Sequence, residues 1–348
     1  MRYSLVMIKD IFSKLYSHLY IVGDSAGWSI DEDAKVLKTI GIEIGLKPKI
    51  IRKMYLNLPQ FVHYTSQFSL IDESIYKNRN KISVDYYHGK PDQQESFRKC
   101  FEALRKHHKE IHKVRVSTKE METLIKSSGI NPDKVIRIPI GIDLEIFKPQ
   151  TEIDKNNKRK ELDIPKDAFV IGSFQKDGVG WGEGNEPKLI KGPDIFLKVT
   201  EKLRKEIPSL FILLSGPSRG YVKNGLDKIG VPYKYVYLKN FEEISSLYDA
   251  LDLYLITSRE EGGPKACLES MASGVPLVTT SVGQCKDLVV DGENAMMSDI
   301  DDFESLYKNI LKISSDPDLN RKLIDSGLKT AGENSLNSQL LIWKNFFK

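Results

Sequence analysis

The 348-residue sequence is short of cysteine, of net charge and of long apolar runs, and each shortage removes a class of protein. Its three cysteines, Cys100, Cys267 and Cys285, are odd in number and stand in no CxxC spacing. They argue for a reducing compartment and against structural zinc. The formal net charge is only +4, which makes no global claim on nucleic acid. The apolar N-terminus is interrupted by Lys9, Asp10 and Lys14, so it fits neither a signal peptide nor a spanning helix. Val6, Ile8, Ile11, Phe12, Leu15 and Leu19 suit instead an amphipathic helix, packed on a first domain or resting on a membrane surface. A cytoplasmic protein is expected, with peripheral membrane contact as an extension. What remains is the composition of a globular chain long enough for two domains with separate cores.

The chain is organised around residues 251–283, LDLYLITSREEGGPKACLESMASGVPLVTTSVG. An apolar run from Leu251 to Ile256 is short enough for a buried strand. A polar corner follows, then Gly262, Gly263 and Pro264. Pro264 and Gly274 fit the start and stop of a helix. The β-branched run from Val275 to Thr280 predicts the next parallel strand. Strand, loop, helix, strand is a unit whose loop lies at the carboxyl end of an open parallel sheet, where ligands bind.

Glu261 falls in that loop and Glu269 follows after seven intervening residues, in the second helical turn. At ~1.5 Å rise per residue, Glu269 stands roughly 7–8 Å along the axis from Pro264. A retaining glycosidase pair needs ~5.5 Å, so the two do not act on one bond. The spacing suits either two solvated glutamates or two carboxylates holding different hydroxyls of one long ligand. The wording SREEGGPKACLESMASGVPLVTTSVG closely resembles the signature of retaining, GT-B fold glycosyltransferases of family 4, with Gly262, Gly274, Pro276 and Gly283 in the matching places. The phrase IPIGIDLEIFKP at 138–149 also resembles that family. The resemblance implies that Glu261 faces the transferred sugar, that Glu269 takes the ribose hydroxyls, and that Gly262 and Gly263 line the donor.

The remaining chain is organised to match. Tyr20 to Asp24 predicts a first strand; the resemblance makes Gly27 its donor-side loop glycine, and a plain tight turn is the equal alternative. Ile82 to Tyr87 predicts a strand ending at His88-Gly89, a position where a parallel sheet exposes chemistry. By resemblance His88 contacts donor sugar or phosphate. Residues 92–113 read as a basic amphipathic helix, either simply solvated or in contact with anionic lipid. Residues 1–149 are expected to form an acceptor-side Rossmann-like domain, with helix 336–348 packing back through Trp343, Phe346 and Phe347. Residues 150–163 are expected as linker and 164–335 as the nucleotide-sugar-binding domain, the two domains facing a cleft.

Gly178 to Gly184 does not make a dinucleotide fingerprint, because the third glycine of GxGxxG would fall at Glu183; a mobile loop is expected. The resemblance asks for two cations holding the donor diphosphate. Lys191, before Gly192, matches one; Lys176 and Lys188 are rivals for the other. The acidic spacings Asp31-Glu32-Asp33 and Asp299-Ile300-Asp301 sit where helices start, where carboxylates favour the macrodipole, so no metal is assigned to them. The implied activity moves a sugar from a nucleoside-diphosphate sugar, a co-substrate rather than a cofactor, to a glycan, lipid-linked or small-molecule hydroxyl. A sugar-nucleotide 2-epimerase and a non-catalytic nucleotide-sugar-binding protein are the alternatives. No nucleic-acid partner is expected.

Overall fold

The computed structural model describes residues 18–23, 29–53, 60–77, 79–238 and 240–348. Gly27 and the segment before residue 18 lie outside the described residues. The chain divides into two units, one running to Pro139 and completed by Leu336–Lys348, the other Ile140–Ser335.

The first unit carries β1 (His18–Val22), α1 (Ser29–Glu43), β2 (Lys47–Ile51), β3 (Phe61–Tyr64), β4 (Lys81–Tyr86), α2 (Glu95–Lys106), β5 (Ile111–Val116), α3 (Lys119–Lys126) and β6 (Val135–Arg137). Its six strands pair in parallel in the order β2-β1-β3-β4-β5-β6. In β4 the apolar Ile82, Val84 and Tyr86 alternate with the buried polar Ser83 and Asp85, so the two faces of the strand carry different residues. Leu19 and Ile21 of β1, Leu37 and Ile40 of α1 and Phe61 of β3 share a core cluster with Trp343 and Phe346 from the chain's last helix and Phe347 just after it.

The second unit carries α4 (Glu152–Glu161), β7 (Phe169–Phe174), α5 (Pro193–Glu206), β8 (Leu210–Ser215), α6 (Gly220–Ile229), β9 (Tyr233–Val236), α7 (Ser245–Tyr248), β10 (Leu253–Ile256), α8 (Lys265–Ala272), β11 (Leu277–Thr280), α9 (Cys285–Leu288), β12 (Met296–Ser298), α10 (Phe303–Ser315) and α11 (Pro317–Glu333). The last helix, α12 (Leu336–Phe346), returns to the first unit. The second sheet is parallel in the order β12-β11-β10-β7-β8-β9. The connections reverse direction between β7 and β10, so the crevice at the carboxyl ends of those two strands is the topological switch point.

Three segments differ from expectation. Residues 150–163 are not an open linker: α4 occupies them, started by a capping box in which Thr151 and Asp154 satisfy each other's backbone N–H groups. The one apolar residue of the helix, Ile153, is exposed, and the helix docks instead through Arg159, whose guanidinium donates to the carbonyls of Ala250, Lys166 and Ala168 and pairs with Asp252. The basic helix is shorter than 92–113, ending at Lys106, with Ile111 already in β5. Much of its charge is also spent locally: Arg98 pairs with Glu95 and Glu102, and Lys106 with Glu73. The glycine-rich loop is tied down by backbone bonds from Val179 to Glu186, Gly220 to Glu183 and Tyr221 to Gly184.

Candidate functional site

The switch point of the second sheet gathers the charged residues. Lys176 follows β7 by two positions, and Thr257 to Glu261 follow β10 directly. A 3-10 turn, Leu189–Lys191, brings the third segment in. Gly192 ends that turn at φ 63°, a left-handed conformation that favours glycine. Its lack of a side chain is also a packing requirement, since a Cβ there would stand 1.9 Å from the Thr257 carbonyl oxygen. Thr257 Oγ1 donates to the Gly192 carbonyl at 2.9 Å, and Gln175 Nε2 to that of Lys191 at 3.2 Å.

This docking sets Lys191 Nζ 2.6 Å from Glu261 Oε1, and Ser258 Oγ donates to the same oxygen at 2.9 Å. Lys188 lies in the same field: burial lowers its pKa first, the positive charges of Lys191 and Lys176 lower it further, and Glu261 opposes them. Lys176 Nζ rests 3.7 Å from the centroid of the exposed Trp181 ring, and its pKa too is lowered by burial. Lys188 thus feels the charges of both Lys191 and Lys176, so both rivals for the second cation share one electrostatic field. Lys191 paired with Glu261, and Lys188 in the field of both, concentrate positive charge suited to an anion carrying more than one negative charge.

The glycines of the signature loop are explained by close approach. A Cβ on Gly263 would meet Ile140 Cδ1 at 2.6 Å and Gln284 Oε1 at 2.9 Å. One on Gly283, at φ 49°, would meet the Glu261 carbonyl oxygen at 2.6 Å and that of Gly262 at 3.0 Å. Pro264 is the N-cap of α8 rather than its first helical residue, with its carbonyl accepting from Cys267 N.

Glu269 differs in character from Glu261. It is buried in α8, and the Tyr248 hydroxyl donates to its Oε2 at 2.9 Å. Burial raises its pKa to about 7, against smaller opposing contributions from the Tyr248 bond and Lys265. A carboxyl whose native pKa exceeds its ordinary value of 4.5 binds more protons folded than unfolded between those values. Its contribution to stability is whole below pH 4.5, is lost as pH rises towards about 7, and is flat above. Glu269→Gln removes that slope, so the melting temperature of the variant should fall less than the wild type's between pH 5.5 and pH 8. An equal fall in both proteins would show that Glu269 is ionised throughout.

His88 belongs to the first unit and is described there by itself. Gln67 brackets it: the carboxamide oxygen accepts from Tyr87 N at 3.0 Å and its nitrogen donates to the His88 carbonyl. The imidazole packs edge-on against Phe97, with centroids 5.3 Å apart. Gly89 turns the chain at φ 96°, where a Cβ would strike the Phe97 ring at 2.4 Å. Sequence reasoning gave His63 no role, but it is fully buried 3.3 Å from Asp85, with Arg115 on the other carboxylate oxygen at 3.4 Å. Burial alone would raise the Asp85 pKa; His63 and then Arg115 outweigh it and hold the group below its ordinary value. Alternation of single polar residues within apolar strands was the available signal, since Asp85 and Arg115 are pointless in a core without each other.

Residues 187–330 match the family model described as glycosyl transferases group 1, which spans Lys188, Lys191 and both glutamates. A D-inositol 3-phosphate glycosyltransferase of Stackebrandtia nassauensis is 27% identical over 198 residues, covering 52% of this chain and 41% of the relative. Another, of Thermomonospora curvata, is 24% identical over 234 residues, covering 62% and 51%. The chain thus spans about half the length of the curated relatives it matches. Among solved structures, Anabaena Alr3699/HepE in complex with UDP-glucose superposes with a TM-score of 0.74 at 16% identity, over 94% of this chain and 99% of that one. A glycosyltransferase from Rickettsia africae gives 0.73 at 18% identity, over 96% and 98%. The fold is that of the GT-B glycosyltransferases, with one Rossmann-like parallel sheet in each unit.

Proposed function

We propose that the chain is a hexosyltransferase that moves a sugar from a nucleoside-diphosphate sugar to a hydroxyl acceptor with retention of anomeric configuration. The observation that carries this reading is the Lys191–Glu261 pair at the switch point, in a field that Lys188 shares with Lys191 and Lys176. A diphosphate is the anion that such a group suits, and the sugar bonded to it then lies beside Glu261. Glu269, one helix turn further, takes the ribose hydroxyls, and Gly262 and Gly263 let the donor approach the backbone. His88 is assigned to the transferred sugar. Anabaena HepE was crystallised with UDP-glucose, which makes a UDP-sugar the first donor to try.

In the reaction the bond between the anomeric carbon and the diphosphate oxygen breaks while the acceptor oxygen bonds to the same face. The acceptor proton passes to the leaving phosphate oxygen. Negative charge grows on that phosphate, and Lys191 with its neighbouring lysines stabilises it without rearranging. Lys191 exchanges Glu261 for the diphosphate when the sugar nucleotide binds, before the bond breaks, so no rearrangement is left for the chemical step. Positioning supplies the rest of the rate.

Thermal shift with UDP-, GDP- and ADP-sugars identifies the donor, since a ligand at 100 times its dissociation constant adds about 2.7 kcal/mol. With that donor, His88→Ala is expected to lower turnover while nucleoside-diphosphate affinity stays near the wild type's. Normal turnover in that variant would remove His88 from the site. Conversion of the donor to an isomeric sugar without any acceptor would point to epimerisation instead.

A further inference from the structure

Arg259 stands two residues before Glu261 and touches three separate segments. Its Nη1 and Nη2 donate to the two carboxylate oxygens of Asp194, in the first turn of α5, each at 2.8 Å. Nη1 also donates to the carbonyl of Leu189, at the head of the turn that ends in Lys191. Nε donates to Asp301 at 2.6 Å. Beneath the side chain, the backbone N–H groups of Arg259 and Glu260 both donate to the Ile190 carbonyl, at 2.8 and 3.1 Å. The turn bearing Lys191 and the loop bearing Glu261 are therefore joined by main chain on one side and by a guanidinium on the other.

We infer that Arg259 is a positioning residue for the donor diphosphate, acting through Lys191; this rests on the donor reading given above. Four of the five guanidinium N–H donors are already used on Asp194, Leu189 and Asp301, so Arg259 is spent on the protein rather than offered to a ligand. Its bonds with Asp194 hold that carboxyl below its ordinary pKa, against its partial burial, so the clamp stays charged at neutral pH. Asp301 meets Nε from a left-handed conformation, φ 67°, unusual for a residue with a side chain. Such strain persists only where surrounding bonds hold it. Lysine has the charge of arginine without its planar fork, and cannot reach both Asp194 oxygens and the Leu189 carbonyl together.

The consequence is specific. Lys191 reaches the Glu261 carboxylate, and by the donor reading the diphosphate, only while its turn keeps this register. Loss of Arg259 should weaken diphosphate binding by loosening Lys191, and should cost nothing more once Lys191 is gone. A residue that merely stabilises the fold would lower the melting temperature and weaken binding in either background.

Calorimetric titration of UDP, GDP and ADP into the full chain tests this, using wild type, Arg259→Lys, Arg259→Ala, Lys191→Ala and the Arg259→Ala/Lys191→Ala double variant. For the nucleotide that wild type binds, Arg259→Lys and Arg259→Ala should each weaken affinity on the order of tenfold, equivalent to about 1.4 kcal/mol. The double variant should bind like Lys191→Ala, within the ~0.3–0.5 kcal/mol by which independent changes scatter. Should Arg259→Ala fail to fold, Arg259→Lys decides. Wild-type affinity in Arg259→Lys, or losses that multiply in the double variant, would overturn the role. Failure of wild type to bind any of the nucleotides would overturn the donor reading itself, and the inference with it.

Discussion

Replacing Lys191 by alanine should lower transfer by roughly 100- to 1,000-fold, the usual cost of one preorganised charge-stabilising donor. The chain should stay folded, because the Lys191 side chain is partly exposed and its ion-pair partner is one carboxylate that water can serve in its place. The loss should fall on turnover more than on ground-state affinity, since charge on the diphosphate is greatest as the sugar departs. Arginine at this position should recover part of the activity, and glutamine very little. An equal fall in turnover and melting temperature would instead make Lys191 a structural residue. A loss below tenfold would pass the role to Lys176 or Lys188, which share its field.

Gly192→Ala is the second large effect. Alanine in the left-handed conformation costs roughly 1–2 kcal/mol by itself. Here its Cβ would also stand 1.9 Å from the Thr257 carbonyl oxygen, a backbone atom that moves only if β10 or the turn moves with it. Either displacement separates Lys191 from Glu261. Donor binding and turnover should both fall to background, with a melting temperature lowered by several degrees, at roughly 2–4 °C per kcal/mol for a unit of this size. Gly180→Ala is the control, because Gly180 is also left-handed, at φ 73°, but a Cβ there meets nothing within 4 Å. It should show the conformational cost and keep its activity. Similar activity in the two variants would remove close packing from the explanation.

The contrast between those glycines shows what a sequence can and cannot reveal. The strands Leu253–Ile256 and Leu277–Thr280 were legible to within about two residues at their starts, because apolar runs speak locally. The helix Gly220–Ile229 was not, since glycine disfavours helices. Its glycines answer to neighbours instead: Gly220 lies against Glu183 and Asn185, and Gly225 against Leu197. Strand Lys47–Ile51 was hidden by Pro48, which an edge strand tolerates and a central one does not. The helix at 152–161 was hidden by its polarity, although Thr151 and Asp154 stood at capping-box spacing.

Within the candidate site the same division holds. Lys191, Glu261 and Glu269 could be named because a long motif carries them. The difference between the two glutamates could not, as it comes from Tyr248, which covers Glu269 from a different helix. Arg259 looked like one more charge in a polar corner. Its partners, Leu189, Asp194 and Asp301, lie between 42 and 70 residues away in the chain, so nothing in its own neighbourhood announced them. Charged residues recruited from separate loops are the part of a site that only folding assembles.

The central claim is that lysines at the switch point hold and neutralise a nucleoside diphosphate while its sugar leaves. Release of nucleoside diphosphate from the sugar nucleotide found by thermal shift, followed with excess chelator in wild type and Lys191→Ala, tests it most directly. Release should continue in wild type despite the chelator and drop by two to three orders of magnitude in the variant. Release that chelator abolishes and added manganese restores, or that Lys191→Ala leaves intact, would contradict it.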